Sequence, residues 1–313
     1  MTLWPDPEVA AAVKGWATRS PAVDAGEYLQ IRAMINGLTH GVVTPDGAEI
    51  TVLERTVVAE DGYEIAVRVY RGAGEVSTGA LLYVHGGGGI SGTLDGYDRL
   101  CRYYAAEAGI QIVAVDYRLA PEHPHPADVQ DTYAVLGWLA AHAGELGIDP
   151  EQIGIGGDCA GGGIAAGVAL LARDRSGPAL ALQMLICPML DDRNTVSDPA
   201  IAPFSTWTYE FNRTAWRARL GDLAGTDAVP AYAAPARAAE LAELPRAFIE
   251  VGDLDIFRDE ALDYARRLVA AGTHVEAHLW PGLPHNYDAV GAKTPAARRA
   301  LAVRIGFLAS LLD

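Results

Sequence analysis

Cysteine is scarce in this 313-residue chain: Cys101, Cys159 and Cys187 are the only three, and they lie far apart. An odd, low count without metal-ligand spacing argues against a disulfide framework and points to a reducing compartment. Basic charge is also short. Lys and Arg total 24 against 40 Asp and Glu, a formal net charge of −16. That balance argues against nucleic acid or an anionic membrane as a partner. No uncharged apolar run reaches the roughly 18 residues of a membrane span. The first residues, Met1-Thr2-Leu3-Trp4-Pro5-Asp6-Pro7-Glu8, lack a basic region followed by an apolar stretch, so they do not read as a signal peptide. The expectation is a cytoplasmic protein. There is no internal repeat and no low-complexity tail. No histidine pair has zinc spacing together with a third ligand, so neither a metal nor another cofactor is expected. What the chain does have is apolar bulk: half of its residues are hydrophobic, enough for a large core in one or two domains.

The residues up to about 45 read as helical, with breaks at Pro5, Pro7 and Pro21. Two alternating strands at 50–58 and 63–70, joined at Glu60-Asp61-Gly62, read as a hairpin. Short apolar strands follow at 80–85, 110–115, 153–157, 182–187, 247–251 and 275–280, alternating with helices at 97–108, 127–143, 160–173, 259–271 and 295–312. Alternation of this kind predicts an α/β fold, a mostly parallel sheet covered by helices on both faces. Ligands of such sheets bind at the carboxyl ends of the strands. The stretch 191–244 breaks the alternation and carries Trp207, Tyr209, Phe211, Trp216 and Tyr232.

Two segments carry the chemistry. In Gly157-Asp158-Cys159-Ala160-Gly161-Gly162 a short apolar strand turns sharply into a small-residue helix. Small residues on both sides allow a strained backbone that pushes one side chain into a cleft, as in a nucleophile elbow. The side chain in the nucleophile slot is a thiol. Upstream, the strand Leu81-Leu82-Tyr83-Val84 runs into His85-Gly86-Gly87-Gly88-Gly89. Bare backbone there can offer N–H groups to an oxyanion. A phosphate loop is excluded because no Lys-Ser/Thr pair follows.

Together these segments resemble the hormone-sensitive-lipase branch of the α/β-hydrolases, the bacterial family IV esterases. His85-Gly86-Gly87-Gly88 is similar to the family's oxyanion motif, and the elbow to its Gly-Asp-Ser-Ala-Gly-Gly with one change. Asp116-Tyr117-Arg118-Leu119-Ala120-Pro121, Asp255-Ile256-Phe257-Arg258-Asp259-Glu260 and Pro281-Gly282-Leu283-Pro284-His285 follow its pattern further along, with departures at Ile256, Phe257, Asn286 and Tyr287. The resemblance implies an α/β-hydrolase fold whose core spans 46–190 and 245–313. Residues 1–45 and the insertion 191–244 would form a helical cap whose aromatics are either cap core or lining of the substrate pocket. It implies a triad of Cys159, His285 and Asp255, with Asp253 as the alternative acid. The oxyanion donors would be the N–H groups of Gly87, Gly88 and Ala160, and His85 would hold the glycine loop. Gly89 stands where the family often has an aromatic, an absence of bulk expected to enlarge the pocket. Many members dimerise through a sheet edge, so a homodimer is an open expectation.

The thiol changes the chemistry that the family implies. Beside a histidine a thiol can already be a thiolate, a stronger nucleophile than a hydroxyl. From the tetrahedral intermediate, however, a thiolate leaves more easily than an alkoxide. Forward reaction then needs protonation of the leaving alcohol by His285, or an intrinsically good leaving group. The substrates expected are small-molecule activated esters, lactones or thioesters, with acyl transfer to amines or thiols as a further outcome. Two other readings of Cys159 stay open at this point: an ordinary serine esterase whose nucleophile has been replaced by engineering, and a ligand-binding protein on the same fold.

Overall fold

The computed structural model describes residues 4–10, 27–38, 41–42, 44–73 and 77–312. A helical turn at 7–10 and helix α1 (Tyr28–Asn36) are the described part of the helical N-terminal stretch; residues 11–26 lie outside the described residues. Strands β1 (Ile50–Val58) and β2 (Glu64–Gly72) pair as an antiparallel hairpin. After β3 (Ala80–Val84) come α2 (Leu94–Ala108), β4 (Gln111–Val115), α3 (Ala127–Ala141), β5 (Ile153–Asp158), α4 (Ala160–Asp174) and β6 (Leu182–Ile186). The segment between β6 and β7 (Arg246–Gly252) holds α5 (Tyr209–Leu220) and short 3-10 turns. The chain closes with α6 (Arg258–Ala270), β8 (Val275–Trp280), α7 (Tyr287–Val290) and α8 (Pro295–Ala309).

One eight-stranded sheet results, in the order β1-β2-β4-β3-β5-β6-β7-β8. Strand β2 runs against the rest, pairing antiparallel with β1 and β4; the six strands β3 to β8 are mutually parallel. The central strands β3, β4, β5 and β6 are buried along their whole length. Burial on both faces is why they read as continuous apolar runs. The mostly parallel sheet flanked by helices agrees with the expected fold class. Boundaries shift where a cap acts. Helix α2 starts at Leu94 instead of 97 because the Thr93 hydroxyl accepts the Gly96 N–H at 3.0 Å.

Two hydrophobic clusters matter for the site. The larger one packs the sheet against its helices. The second gathers Ile31 of α1, Ile90 of the glycine loop, Cys159, Met189, and Trp207, Phe211 and Trp216 of the segment between β6 and β7. The aromatics of that segment, Tyr232 excepted, are therefore largely its own packing.

Candidate active site

The sharp turn after β5 puts Cys159 at φ 54°, ψ −122°, a backbone conformation that a residue with a Cβ rarely adopts. Hydrogen bonds on both sides hold it there. Its N–H donates to the Ile186 carbonyl at 2.9 Å, and its carbonyl accepts from Gly163 and Met189 at 3.1 and 2.9 Å. A Cβ at Gly157 or Gly161 would stand 2.2 or 2.0 Å from the Val84 carbonyl oxygen, so β3 can pass this close only to glycine.

The glycine loop follows β3 directly. Gly87, Gly88 and Gly89 all have positive φ, at 107°, 69° and 71°. The loop is anchored from below: Gly86 N–H donates to the Tyr97 hydroxyl at 3.0 Å, and that hydroxyl donates to Asp158 Oδ2 at 2.7 Å. Tyr83 donates to the other Asp158 oxygen at 2.8 Å. Asp158 therefore joins the elbow to the loop. His85 is buried, donates from Nδ1 to the Gly86 carbonyl at 2.8 Å, and stacks on Tyr117 with centroids 4.4 Å apart. Burial lowers its pKa to about 4, so its ring is neutral. Among the described residues no acceptor pairs with the N–H of Gly87 or Gly88. Ala160 opens α4, where an N–H has no partner inside the helix.

His285 follows β8 and sits over the carboxyl ends of the central strands. Its Nδ1 lies 2.8 Å from Asp255 Oδ2, and both side chains are buried. Asp253 is turned elsewhere: it accepts the Gly282 N–H at 2.6 Å. The Thr206 hydroxyl holds the His285 carbonyl. Below, Arg304 of α8 is fully buried between Glu250 and Asp288, and Tyr287 donates to Glu250 at 2.6 Å, which pins α7 and the loop before it to β7. Burial works to strip the proton from His285. Asp255, then the thiols of Cys187 and Cys159, outweigh it and hold its pKa well above the ordinary histidine value. Among the described residues its Nε2, the other ring nitrogen, is buried with no hydrogen-bond partner.

Cys187 was visible in the sequence only as one of three cysteines. It stands one residue past β6, at the same carboxyl edge as the other site residues, and that position was the available signal. Its thiol donates to Asn286 Oδ1 at 3.3 Å. Burial pushes its pKa up to about 12. Donor atoms of Cys187, Asp255 and His285 lie within 4.8 Å of one another, the one such group among the described residues that could meet a cation.

One expectation about the pocket is revised and another is narrowed. The space beside Gly89 is not open: a Cβ there would stand 2.6 Å from Arg219 Cδ of α5, so an arginine fills the room that a missing side chain leaves. Arg219 is itself fixed by two hydrogen bonds to buried Asp128, at 3.0 and 2.7 Å. Of the aromatics, Trp207 alone reaches the loop and the histidine together. A Cβ at Gly88 would meet its ring at 2.7 Å, and its ring centroid is 6.4 Å from that of His285.

Residues 81–289 match the family described as alpha/beta hydrolase fold. The chain belongs to the α/β-hydrolase fold family. This hydrolase is 41% identical over 223 residues to esterase LipI of Mycobacterium tuberculosis, covering 70% of this chain and 69% of LipI. It is 39% identical over 256 residues to carboxylesterase NlhH of the same organism, covering 80% of each. Among solved structures, a bacterial heroin esterase is 35% identical with a TM-score of 0.87, covering 99% of this chain and 98% of that one. A thermostable esterase from Pseudomonas putida ECU1011 superposes with a TM-score of 0.88 at 28% identity, over the same shares. The hydrolase thus falls in the hormone-sensitive-lipase-like esterase branch. Among its described residues no helix is long and apolar enough to cross a membrane.

Proposed function

We propose that the hydrolase cleaves carboxylic esters or lactones through an acyl thioester on Cys159. The chain is a carboxylic ester hydrolase by family; the proposal concerns the attacking atom and the groups that serve it. The observation that carries it is the pair His285 Nδ1–Asp255 Oδ2 at 2.8 Å, set at the carboxyl edge where the strained turn presents Cys159.

In this reading the Cys159 sulfur attacks the ester carbonyl carbon. The N–H groups of Gly87, Gly88 and Ala160 hold the oxyanion, pre-aimed by positive φ in the loop and by the start of α4. His285 gives its proton to the departing alkoxide, then takes one from the water that attacks the thioester. Asp255 orients the ring and stabilises its charged form. A His285 that retains its proton meets the difficulty specific to a thiol, because a protonated alcohol competes with the thiolate as leaving group. Residues 1–45 and 191–244 would act as the cap. Trp207 beside Gly88 and His285 would face the acyl or alcohol group.

The test combines turnover of a short-chain p-nitrophenyl ester with intact mass, for this chain and for Cys159→Ser and Cys159→Ala. Steady turnover that Ser does not exceed and Ala lacks is expected. A single burst leaving a stable acyl adduct, with much faster turnover by the Ser form, would overturn the reading in favour of a serine-type esterase with its nucleophile replaced.

A further inference from the structure

Two cysteines, not one, lie at the carboxyl edge of the sheet that carries His285, and the Cys187 sulfur is grouped with the His285 and Asp255 donor atoms within 4.8 Å. In the parallel ladder of β5 and β6, Asp158 pairs with Ile186, so Cys159 and Cys187 are the next residues on the two strands. The Cys159 N–H donates to the Ile186 carbonyl and the Met189 N–H to the Cys159 carbonyl, both at 2.9 Å, so the two backbones stay side by side past the end of the ladder. Neighbouring strands lie roughly 4.8 Å apart, inside the Cα separation of about 4.4–6.8 Å that a disulfide spans. Both cysteines have positive φ, 54° and 38°, which turns each away from its strand at the same edge. Both cysteines act on His285 electrostatically, and Cys159 also acts on Cys187. Neither is in a disulfide.

We infer that Cys159 and Cys187 form a peroxide-sensitive pair, with Cys159 as the oxidised thiol and Cys187 as its resolving partner. The inference rests on the reading of Cys159 as the nucleophile. A hydroperoxide reaches Cys159 by the route an ester carbonyl must take. The Cys159 thiolate attacks the nearer peroxide oxygen, the O–O bond breaks, and the alkoxide or hydroxide leaves with a proton, giving a sulfenic acid. The Cys187 sulfur then attacks the sulfenyl sulfur. An S–S bond forms, the S–O bond breaks, and the Cys187 proton departs with the hydroxyl as water. Overall the hydroperoxide is reduced by two electrons and the two thiols are oxidised by two. Cys187 holds its proton at rest, so it waits as a thiol instead of competing for the peroxide. The disulfide occupies the nucleophile and stops ester turnover until a dithiol reduces it.

The experiment uses the full chain, reduced, exposed to hydrogen peroxide and quenched with catalase. Expected is a mass loss of about 2 Da, a tryptic cross-link between Cys159 and Cys187 with Cys101 still free, and a drop in ester turnover of roughly tenfold or more that dithiothreitol restores. Cys187→Ala should instead gain about 16 and then 32 Da at Cys159 and lose activity irreversibly. Gains of oxygen on Cys159 in the unsubstituted chain, with no cross-link, would overturn the inference while leaving the acyl-cysteine reading intact. Ester turnover by Cys159→Ala would sink that reading, and the cross-link map would still report separately on the pair.

Discussion

Asp255 holds His285 by a 2.8 Å contact to Nδ1, while Asp253, two residues earlier on the same turn, spends its carboxylate on the Gly282 N–H. Either acid fits the strand-end position, and the fold separates them by orientation. Asp255→Asn should lower kcat by roughly 10²–10⁴-fold with little change in KM, because it removes the partner of the charged imidazole. Asp253→Asn should leave kcat within a few-fold. Steady-state kinetics on one ester decide this, and equal losses from both variants would contradict the assignment.

The proton on His285 gives a pH dependence with a definite sign. The residue's folded pKa is raised, so the proton is present below that value and lost as pH climbs through it. Turnover of an alkyl ester, whose alkoxide needs the proton, should fall on that alkaline limb. Turnover of a p-nitrophenyl ester should persist further into alkali. Asp255 is the largest group pushing the value up, so Asp255→Asn should move the limb to lower pH. The linked stability has the same sense: it is complete below the ordinary histidine pKa and lost as pH rises through the folded one. Profiles of kcat/KM for the two esters check it, and superimposable alkaline limbs would count against His285 as the acid.

Tyr97 links the glycine loop to the elbow through Gly86 and Asp158. Tyr97→Phe leaves a buried donor and a carboxylate each short of a partner, at a cost of about 1–3 kcal/mol in stability. Under the proposed oxyanion role of the loop, it should lower kcat more than it raises KM. Urea denaturation and kinetics read the two effects separately.

Arg219 and Asp128 form a buried pair, with side chains 1% and 4% exposed. Burial opposes the charge on Asp128, but Arg219 and His125 overcome it and hold the carboxyl below its ordinary range. That stabilisation is present above the ordinary carboxylate pKa and is lost as pH falls through the folded value. Arg219→Ala strands the carboxylate and should cost about 3–5 kcal/mol, and the double variant with Asp128→Asn should cost less than the sum. Gly89→Ala should weaken the hydrolase as well, since φ is +71° and the new methyl meets Arg219. Thermal and urea unfolding measure each.

Much of the fold was legible because burial leaves a local trace. Strands β3, β5 and β6 read as apolar runs because both of their faces are covered, and the elbow reads as glycine because β3 crosses within reach of its Cβ positions. The glycine loop was more ambiguous. Taken alone, a run of four glycines also suits a flexible turn. Only the anchoring of Gly86 through Tyr97 to Asp158, the residue before Cys159, ties that loop to the elbow. The filling of the Gly89 space by Arg219 was not legible, because the two residues are brought together by a segment whose packing has no periodic signature.

The sequence by itself determined the order of strands and helices, the strained turn that presents Cys159, and the glycine run that leaves backbone N–H groups bare. These are local properties, set by side-chain size, hydrophobic period and backbone freedom within a few residues. Tertiary structure alone decided that Asp255 and not Asp253 faces His285, that Arg219 closes the space at Gly89, and that Cys187 stands beside Cys159. Each of those outcomes depends on the register of neighbouring strands and the packing of distant segments, and no short stretch of chain encodes the approach of residues that meet only when the sheet closes.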